Sequence, residues 1–322
     1  MIIQGRDTNT LPEQFKPLTG GVLTLDADSM LYAACNSVAR LSTAISRAKT
    51  RIFELQFLTG CKHVRAHLTA RGNYKAGRHL LIGAQAYQDN RKGIAKPPLL
   101  EPLREHLAKP EVFQEHEGVQ VFLHHDIEAD DALMIDAYSI PGVIGYSPDK
   151  DLRILPCGWF DTDTGRVDFL KDRYGWIALD RKLATPKAIG HGTRFFWCQM
   201  LMGDVVDNVK GLLYYERYKK PKRKRDLPIL IHDDAGPKYA VDLLGQCDTE
   251  NDAANAVLDL YRKIDQNPLP EACMLWLLRT LEDTAEGYIW SLNLSDNNRA
   301  FIRDCYNRVY RKDAAEENEY NA

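Results

Sequence analysis

The sequence predicts an α/β fold with a mostly parallel central sheet, flanking helices and a helical C-terminal region. Three observations predict it. Short apolar runs at 21–25 (GVLTL), 64–68, 119–123 (VQVFL) and 142–146 (GVIGY) have the length and content of strands. Segments with helical spacing separate them, as βαβ units require. Acidic residues also recur just past these runs, at the carboxyl ends that converge on one edge of a parallel sheet.

Taken in order, residues 1–20 read as an irregular polar leader. From Met30 to Leu58 the apolar positions Leu31, Ala34, Val38, Leu41, Ile45, Ile52 and Leu55 predict one amphipathic helix, with Ser29 as its N-cap. Residues 79–118 carry helix-like stretches broken by Gly83, Gly93, Pro97, Pro98 and Pro110. Helices are expected over Glu128–Tyr138 and Arg194–Met202, then a loop with a basic run. Residues 237–311 read as mainly helical; the spacing of Val257, Leu260 and Ile264, and of Leu275, Leu278 and Leu281, predicts core packing, with Trp276 and Trp290 in that core. The expected organisation is a leader (1–20), an α/β core (21–205), a duplex-binding element (206–245) with a basic insertion at 214–235, a helical region (246–312) and an acidic tail (313–322) that reads as disordered.

The chain has 322 residues, 44% of them hydrophobic, enough for a sizeable core. No apolar run approaches the ~18–20 residues that span a bilayer, and no secretory signal opens the chain. A cytosolic protein without a membrane partner is expected, in the host cytoplasm if phage-encoded. The seven cysteines form no C-x-x-C pair, so reduced thiols are expected rather than disulfides or zinc. The net charge of −3 argues at first against a polyanionic partner. Nine carboxylates fall in the acidic clusters and four in the tail; with those set aside the remainder carries +10. A basic body around an acidic pocket suits a polyanion held about bound cations.

The clusters are Asp26 and Asp28 after the first run, Glu128, Asp130 and Asp131 (IEADDAL) after the third, Asp149 and Asp151 (YSPDKDL) after the fourth, and Asp204 and Asp207 (MLMGDVVDN) after the helix at 194–202. Carboxylates brought together repel and raise one another's pKa unless cations are present. Oxygen donors of this kind suit Mg²⁺ or Mn²⁺. Each cluster alone also fits a local role: Asp126 or Glu128 a helix start, Asp149 and Asp151 a turn beside Pro148, Asp28 a turn beside Ser29. Four clusters at corresponding positions favour a shared site.

Five segments in order, LTLDADSMLYAA (23–34), IEADDAL (127–133), YSPDKDL (146–152), LMGDVVDNVKGL (201–212) and GPKYAVDLL (236–244), resemble the 5′-nuclease (flap endonuclease-like) family. The resemblance covers roughly residues 21–245 and is closest to phage 5′→3′ exonucleases and the 5′-nuclease domain of bacterial DNA polymerase I. It implies the PIN/5′-nuclease-like fold with a helix–turn–helix element that grips duplex DNA. It implies that Asp26, Glu128, Asp130, Asp131, Asp149, Asp151, Asp204 and Asp207 hold two divalent ions, Mg²⁺ or Mn²⁺, over the scissile phosphate. The amides after Gly236 would meet phosphate oxygens, with Lys238 adding charge.

Three departures stand out. The family's aspartate after its second strand has no counterpart in His67-Leu68-Thr69-Ala70; Asp28 is a possible substitute. Of the family's Y-K-x-x-R motif, Tyr87-Gln88-Asp89-Asn90-Arg91 has the spacing but lacks the lysine, whereas Tyr74-Lys75-Ala76-Gly77-Arg78 has the residues earlier in the chain. Lys75, Arg78, Arg91 and Lys92 all remain candidates for contact with the reacting phosphate. Finally, an insertion before Gly236 holds Arg217, Lys219, Lys220, Lys222, Arg223, Lys224 and Arg225, seven cations within nine positions, with Tyr214, Tyr215 and Tyr218 beside them. It reads as extra phosphate contact or as a solvated loop.

The resemblance implies a monomeric DNA enzyme that hydrolyses phosphodiester bonds at a 5′ end or 5′ flap in replication, repair or degradation, with no small-molecule cofactor. The alternatives are a PIN-like RNase, which lacks the helix–turn–helix element, and a non-catalytic DNA-binding protein that keeps the fold. Closeness to phage exonucleases suggests a bacteriophage origin.

Overall fold

The four apolar runs are neighbouring strands of one sheet. The computed structural model describes residues 2–3, 6–7, 21–149, 151–170, 172–181, 185–219 and 228–312. Two short strands, β1 (Ile2–Ile3) and β2 (Arg6–Asp7), pair antiparallel. Next come β3 (Val22–Asp26), helices α1 (Ala27–Cys35) and α2 (Leu41–Thr59), and β4 (His63–Thr69). Helix α3 (Leu100–Leu107), β5 (Val119–His124), α4 (Ala129–Ser139), β6 (Ile144–Tyr146), β7 (Gly158–Asp161) and β8 (Arg166–Asp168) follow. The six-stranded sheet has the order β5-β4-β3-β6-β7-β8, parallel throughout except for β8 against β7. The expected mostly parallel α/β sheet is therefore present.

The chain divides into two compact units. The first comprises Met1–Ala76, Gly93–Arg173 and Leu277–Glu282, and the second Gly77–Lys92, Tyr174–Trp276 and Asp283–Ala322. In the first, Leu23 and Leu25 of β3, Val64, Ala66 and Leu68 of β4, and Ile52 and Leu55 of α2 are at most 1% exposed and form the sheet's core with Leu100, Leu103 and Leu107 of α3.

The single helix predicted from Met30 is two helices that break at Asn36–Arg40, where Ser37 takes a left-handed φ of 56°. Its N-cap is Asp26 rather than Ser29: the Asp26 carboxylate accepts from Asp28 N at 3.0 Å, and Ser29 donates to the same carboxylate. The strand-end acid thus starts the helix too.

A buried polar network pins β3, β4, β5 and α4 together. Asp136 Oδ2 accepts from Thr24 Oγ1 (3.0 Å), Arg65 Nε (2.7 Å) and His67 Nε2 (2.9 Å), and His67 Nδ1 lies 2.9 Å from His124 Nε2. With His67 donating from Nε2, its Nδ1 accepts from His124. Burial, foremost, drives the His67 pKa below 6.5; burial and then the neighbouring His67 push that of His124 down to about 4. Burial acts to raise the Asp136 pKa, but the His67 and Arg65 hydrogen bonds outweigh it and hold the carboxyl below its usual value. Both histidines are therefore neutral in the fold. Below about pH 6.5 the unfolded chain takes up protons that the folded one refuses, so stability falls as pH drops toward about 4. Asp26 acts oppositely below about 6 (see below), so the test is comparative. Melting temperatures at pH 7 and pH 5 in chelator should fall for the native protein and fall less for His124→Gln; equal falls would refute the assignment.

In the second unit, β9 (Trp176–Asp180) and β10 (Lys187–His191) pair antiparallel and lead into α5 (Thr193–Met202). A hairpin of β11 (Tyr215–Lys219) and β12 (Ile229–Asp233) precedes α6 (Pro237–Leu244). Helices α7 (Glu250–Lys263), α8 (Leu269–Leu275), α9 (Ala285–Ser291) and α10 (Asp296–Tyr306) complete it. Its core centres on Phe195, Phe196 and Trp197 of α5, each fully buried, with Trp276 stacked on Tyr288 at 4.1 Å. Trp276 is core as expected and Trp290 is half-buried. The helix expected through Leu278 and Leu281 ends at Leu275; Leu281 is 69% exposed, and the Leu278 amide donates to Asp131 Oδ1 instead of to a preceding turn. No helix among the described residues is long and apolar enough to cross a membrane.

Candidate active site

The strand order decides where the first acidic clusters meet. Strands β3, β4 and β5 step outward in one direction, and the chain then returns to place β6 on the other side of β3. That reversal is a topological switch point, the place in open parallel sheets where sites form at the strands' carboxyl ends. Asp26 ends β3, and Ser147 and Asp149 follow β6. Ser147 Oγ donates to Asp26 Oδ2 at 2.8 Å and accepts from Asp149 N at 2.9 Å, which ties the two loops together.

Asp26 is 5% exposed. Burial first, and then the charges of Asp28 and Asp149, raise its pKa to about 6, against the lowering effect of the Ser147 and Ser29 hydrogen bonds. Burial also raises the Asp28 pKa, with Arg104 opposing. Asp28 is firmly held: its Oδ1 accepts from Arg104 Nε (3.0 Å) and Nη2 (2.7 Å), and its Oδ2 from Thr69 N (3.0 Å). Both oxygens of Asp28 are thus engaged by protein donors, as both oxygens of Asp26 are by Asp28 N, Ser29 and Ser147. Thr69 Oγ1 accepts from Ala129 N, so the end of β4 is joined to the start of α4.

Glu128 is the N-cap of α4 and forms a capping box with Asp131. Asp131, fully buried, accepts from Glu128 N at 3.2 Å and from Leu278 N at 3.0 Å. Glu128 thus has the capping role that was one of its two readings, and Asp131 completes the box. Asp130, on the same first turn, is half-buried. Asp151 opens a short 3₁₀ turn, and its side chain lies outside the described residues.

Lys75 lies on a loop fastened to the segment before α4. Its backbone and that of Ala76 are left-handed (φ 53° and 52°), held by Lys75 N to Asn73 Oδ1 and Ala76 N to the Asp126 carbonyl. Asn73 in turn donates to the His124 and Ile127 carbonyls, so the Lys75 loop is fastened to the segment that delivers Glu128.

Asp204 and Asp207 belong to the second unit. They lie in a tight loop after α5, closed by reciprocal hydrogen bonds between Asp204 and Val209. Gly203 (φ 72°) is required there: a Cβ would stand 2.3 Å from the Val209 carbonyl oxygen. Asp204 is 4% exposed and accepts from Val206 N (2.7 Å) and Gln199 Nε2 (3.3 Å). Asp207 accepts from Arg91 Nη2 (2.7 Å) and Gln88 Nε2 (2.8 Å).

The four candidate phosphate-contacting cations therefore separate. Arg78 is 3% exposed and donates to the Trp276 carbonyl at 2.6 Å, a packing role. Arg91 pairs with Asp207, and Lys92 pairs with Asp89 on the surface. Lys75 belongs to the first unit, on a loop whose backbone is fastened to residues 124–127. Of the expected DNA contacts, Lys219 is exposed on β11, Gly236 is the N-cap of α6, and Lys238 on its first turn pairs with Asp242. Lys220, Lys222, Arg223, Lys224 and Arg225 lie outside the described residues. Among the described residues, no three His, Cys, Asp or Glu side chains stand close enough together to enclose an ion.

Sequence reasoning missed Arg104, Ser147 and Thr69 as positioning residues. Arg104 carried a signal: it falls on the apolar Leu100–Leu103–Leu107 face of its helix, where a charge needs a partner. No family model and no curated protein matches the chain. Solved structures do. Phage T5 5′-exonuclease with bound zinc has a TM-score of 0.52 at 15% identity, covering 89% of this chain and 98% of that one. The T5 D15 protein co-crystallised with metal ions gives 0.50 at the same identity and coverage. At this identity the likeness establishes architecture: the chain has the fold of the T5 5′-exonuclease.

Proposed function

We propose that the chain is a 5′-nuclease of the flap endonuclease-like family that hydrolyses DNA phosphodiester bonds and depends on divalent metal ions, acting as a 5′→3′ exonuclease, a flap endonuclease or both. The observation that carries this reading is the acidic group at the switch point, where buried Asp26 holds a proton up to about pH 6 beside half-buried Asp28 and Asp149. Burial is the larger cause of that shift and the neighbouring charges add to it, a cost that a bound cation would relieve. Oxygen donors suit Mg²⁺ or Mn²⁺, and the fold is shared with a 5′-exonuclease described with bound metal ions.

Asp26, Asp130, Asp149 and Asp151 are the residues to hold one or two ions, with Glu128 and Asp131 as further ligands. Bound ions would supply activation of the attacking water and stabilisation of the leaving 3′-oxygen. The chain's own work is positional. Ser147 fixes Asp26 and the Asp149 backbone, Arg104 fixes Asp28, and the Asn73-anchored loop presents Lys75 to offset charge on the reacting phosphate. The α6 N-terminus at Gly236, with Lys238, provides amides for duplex phosphates.

Digestion of DNA and RNA of one sequence, each 5′-labelled and given Mg²⁺, Mn²⁺ or chelator, tests the reading. Metal-dependent release from DNA is expected. Release from RNA alone would favour the RNase alternative, and binding without release from either would favour a non-catalytic protein.

A further inference from the structure

The loop that leaves β4 differs in charge from the loops on either side of it. The sheet order β5-β4-β3-β6 places it between the loop from β3, with Asp26 and Asp28, and the loop from β5, with Asp126 and Glu128. Residues 69–76 (TARGNYKA) hold Arg71 and Lys75 and no carboxylate. The end of β4 touches both acidic neighbours: Thr69 N donates to Asp28 Oδ2 at 3.0 Å, and Thr69 Oγ1 accepts from Ala129 N at 3.0 Å. A tight turn follows at once. Asn73 N donates to the Ala70 carbonyl at 3.2 Å, and Gly72, third in the turn, has a φ of 72° that favours glycine. Both ends of the turn are anchored at the end of β5 and just past it. Ala70 N donates to the His124 carbonyl at 2.8 Å, and Asn73 Nδ2 donates to the His124 and Ile127 carbonyls at 2.7 Å each.

Arg71 is the second residue of this turn and is exposed, whereas Ala70 before it is buried. Among the described residues no hydrogen bond or ion pair engages its guanidinium. By contrast, Arg104 is paired with Asp28 and Glu101, and Arg65 with Asp136.

We propose that Arg71 is a substrate-binding residue that grips a backbone phosphate of the DNA strand at the acidic edge. The inference deepens the nuclease reading and rests on it. A polyanion meets repulsion from the carboxylates of this edge, and a cation matched to none of them offsets that repulsion. A guanidinium suits a phosphate because its planar fork can bond two oxygens at once. The turn is tied at both ends, so the backbone that carries the guanidinium loses little freedom on binding. The phosphate is one other than the reacting phosphate, which is assigned to Lys75. The contact is therefore the same before and during the reaction, and it acts on binding rather than on the chemical step.

The test uses the full chain and a labelled duplex with a 5′ flap, with anisotropy read in chelator at several salt concentrations. Arg71→Ala should weaken binding about three- to tenfold at about 0.1 M salt and lower the slope of log K against log salt by about 0.7–0.9, one phosphate contact. Arg71→Lys should restore the slope, because the charge returns. Arg71 is exposed, so folding is undisturbed, and unchanged thermal melting verifies this. Single-turnover cleavage in Mg²⁺ should need more enzyme for half-saturation and reach a plateau rate within about twofold of native. Arg166→Ala, at an exposed position on the opposite edge strand β8, removes the same charge and should change binding less than about twofold. Unchanged binding and slope in Arg71→Ala would overturn the proposal and mark a solvated side chain. An equal loss in Arg166→Ala would overturn it as an effect of overall charge. A plateau rate more than about tenfold lower, with binding unchanged, would overturn it by placing Arg71 on the reacting phosphate. The two readings fail separately. Metal-dependent cleavage with native-like binding by Arg71→Ala refutes only the contact, whereas an Arg71 effect on binding in a protein that cuts in neither Mg²⁺ nor Mn²⁺ refutes only the nuclease.

Discussion

Asp130→Ala and Asp149→Ala are each expected to lower DNA cleavage by at least about 10³-fold while DNA binding in chelator is retained or tightens. A bound cation contributes several kcal/mol of charge stabilisation in the transition state, and each ~1.4 kcal/mol is a factor of ten in rate. Binding moves the other way because the carboxylates repel the phosphate backbone, so removing one charge eases approach. Neither substitution should unfold the protein. Asp130 is half-buried on the first turn of α4, whose capping box uses Glu128 and Asp131, and the Asp149 contact to Ser147 is made by its backbone amide. Single-turnover cleavage and anisotropy on the same preparations provide the check. Cleavage within about tenfold of native in both variants, less than ~1.4 kcal/mol, would sink the assignment.

The largest effect on stability is expected from Asp136→Ala, a loss of about 3–5 kcal/mol. The residue is 4% exposed and its carboxylate receives Thr24, Arg65 and His67, so its removal strands a guanidinium, an imidazole and a hydroxyl on the sheet. The penalty comes from those unpaired donors rather than from the lost contacts alone. Thr24→Val removes one donor and leaves the carboxylate two others, so a cost of about 1–2 kcal/mol is expected. Urea unfolding of both variants decides the point: a loss below about 0.5 kcal/mol for Asp136→Ala, the range of ordinary surface changes, would show that the network adds nothing.

Much of this was legible in local pattern. The four apolar runs are β3, β4, β5 and β6, because buried parallel strands read as short continuous apolar stretches. Acids just past those runs could be placed at one sheet edge without a structure. What local pattern hid depends on chain geometry or on distant partners. The break at Asn36–Arg40 interrupts a periodicity that continues across it, so two helices looked like one. Strands β7 to β10 are three to five residues long with mixed polarity, too short to show an alternation. The β11–β12 hairpin was masked by its charge, which reads as a solvated loop. The ion pairs Asp28–Arg104 and Asp207–Arg91 join residues 76 and 116 positions apart, and no spacing rule anticipates either. They matter because they hold two of the acids in place: Asp28 through Arg104 and Asp207 through Arg91.

The central claim is that the acidic edge at the switch point supports metal-dependent cutting from a 5′ end. Its most direct test is digestion of a 5′-labelled duplex carrying a 5′ flap, in Mg²⁺, in Mn²⁺ and in EDTA. The account predicts release of label in either metal and none in EDTA, as mononucleotides for an exonuclease or as intact flaps for an endonuclease. Folded protein that releases no label in either metal would contradict it.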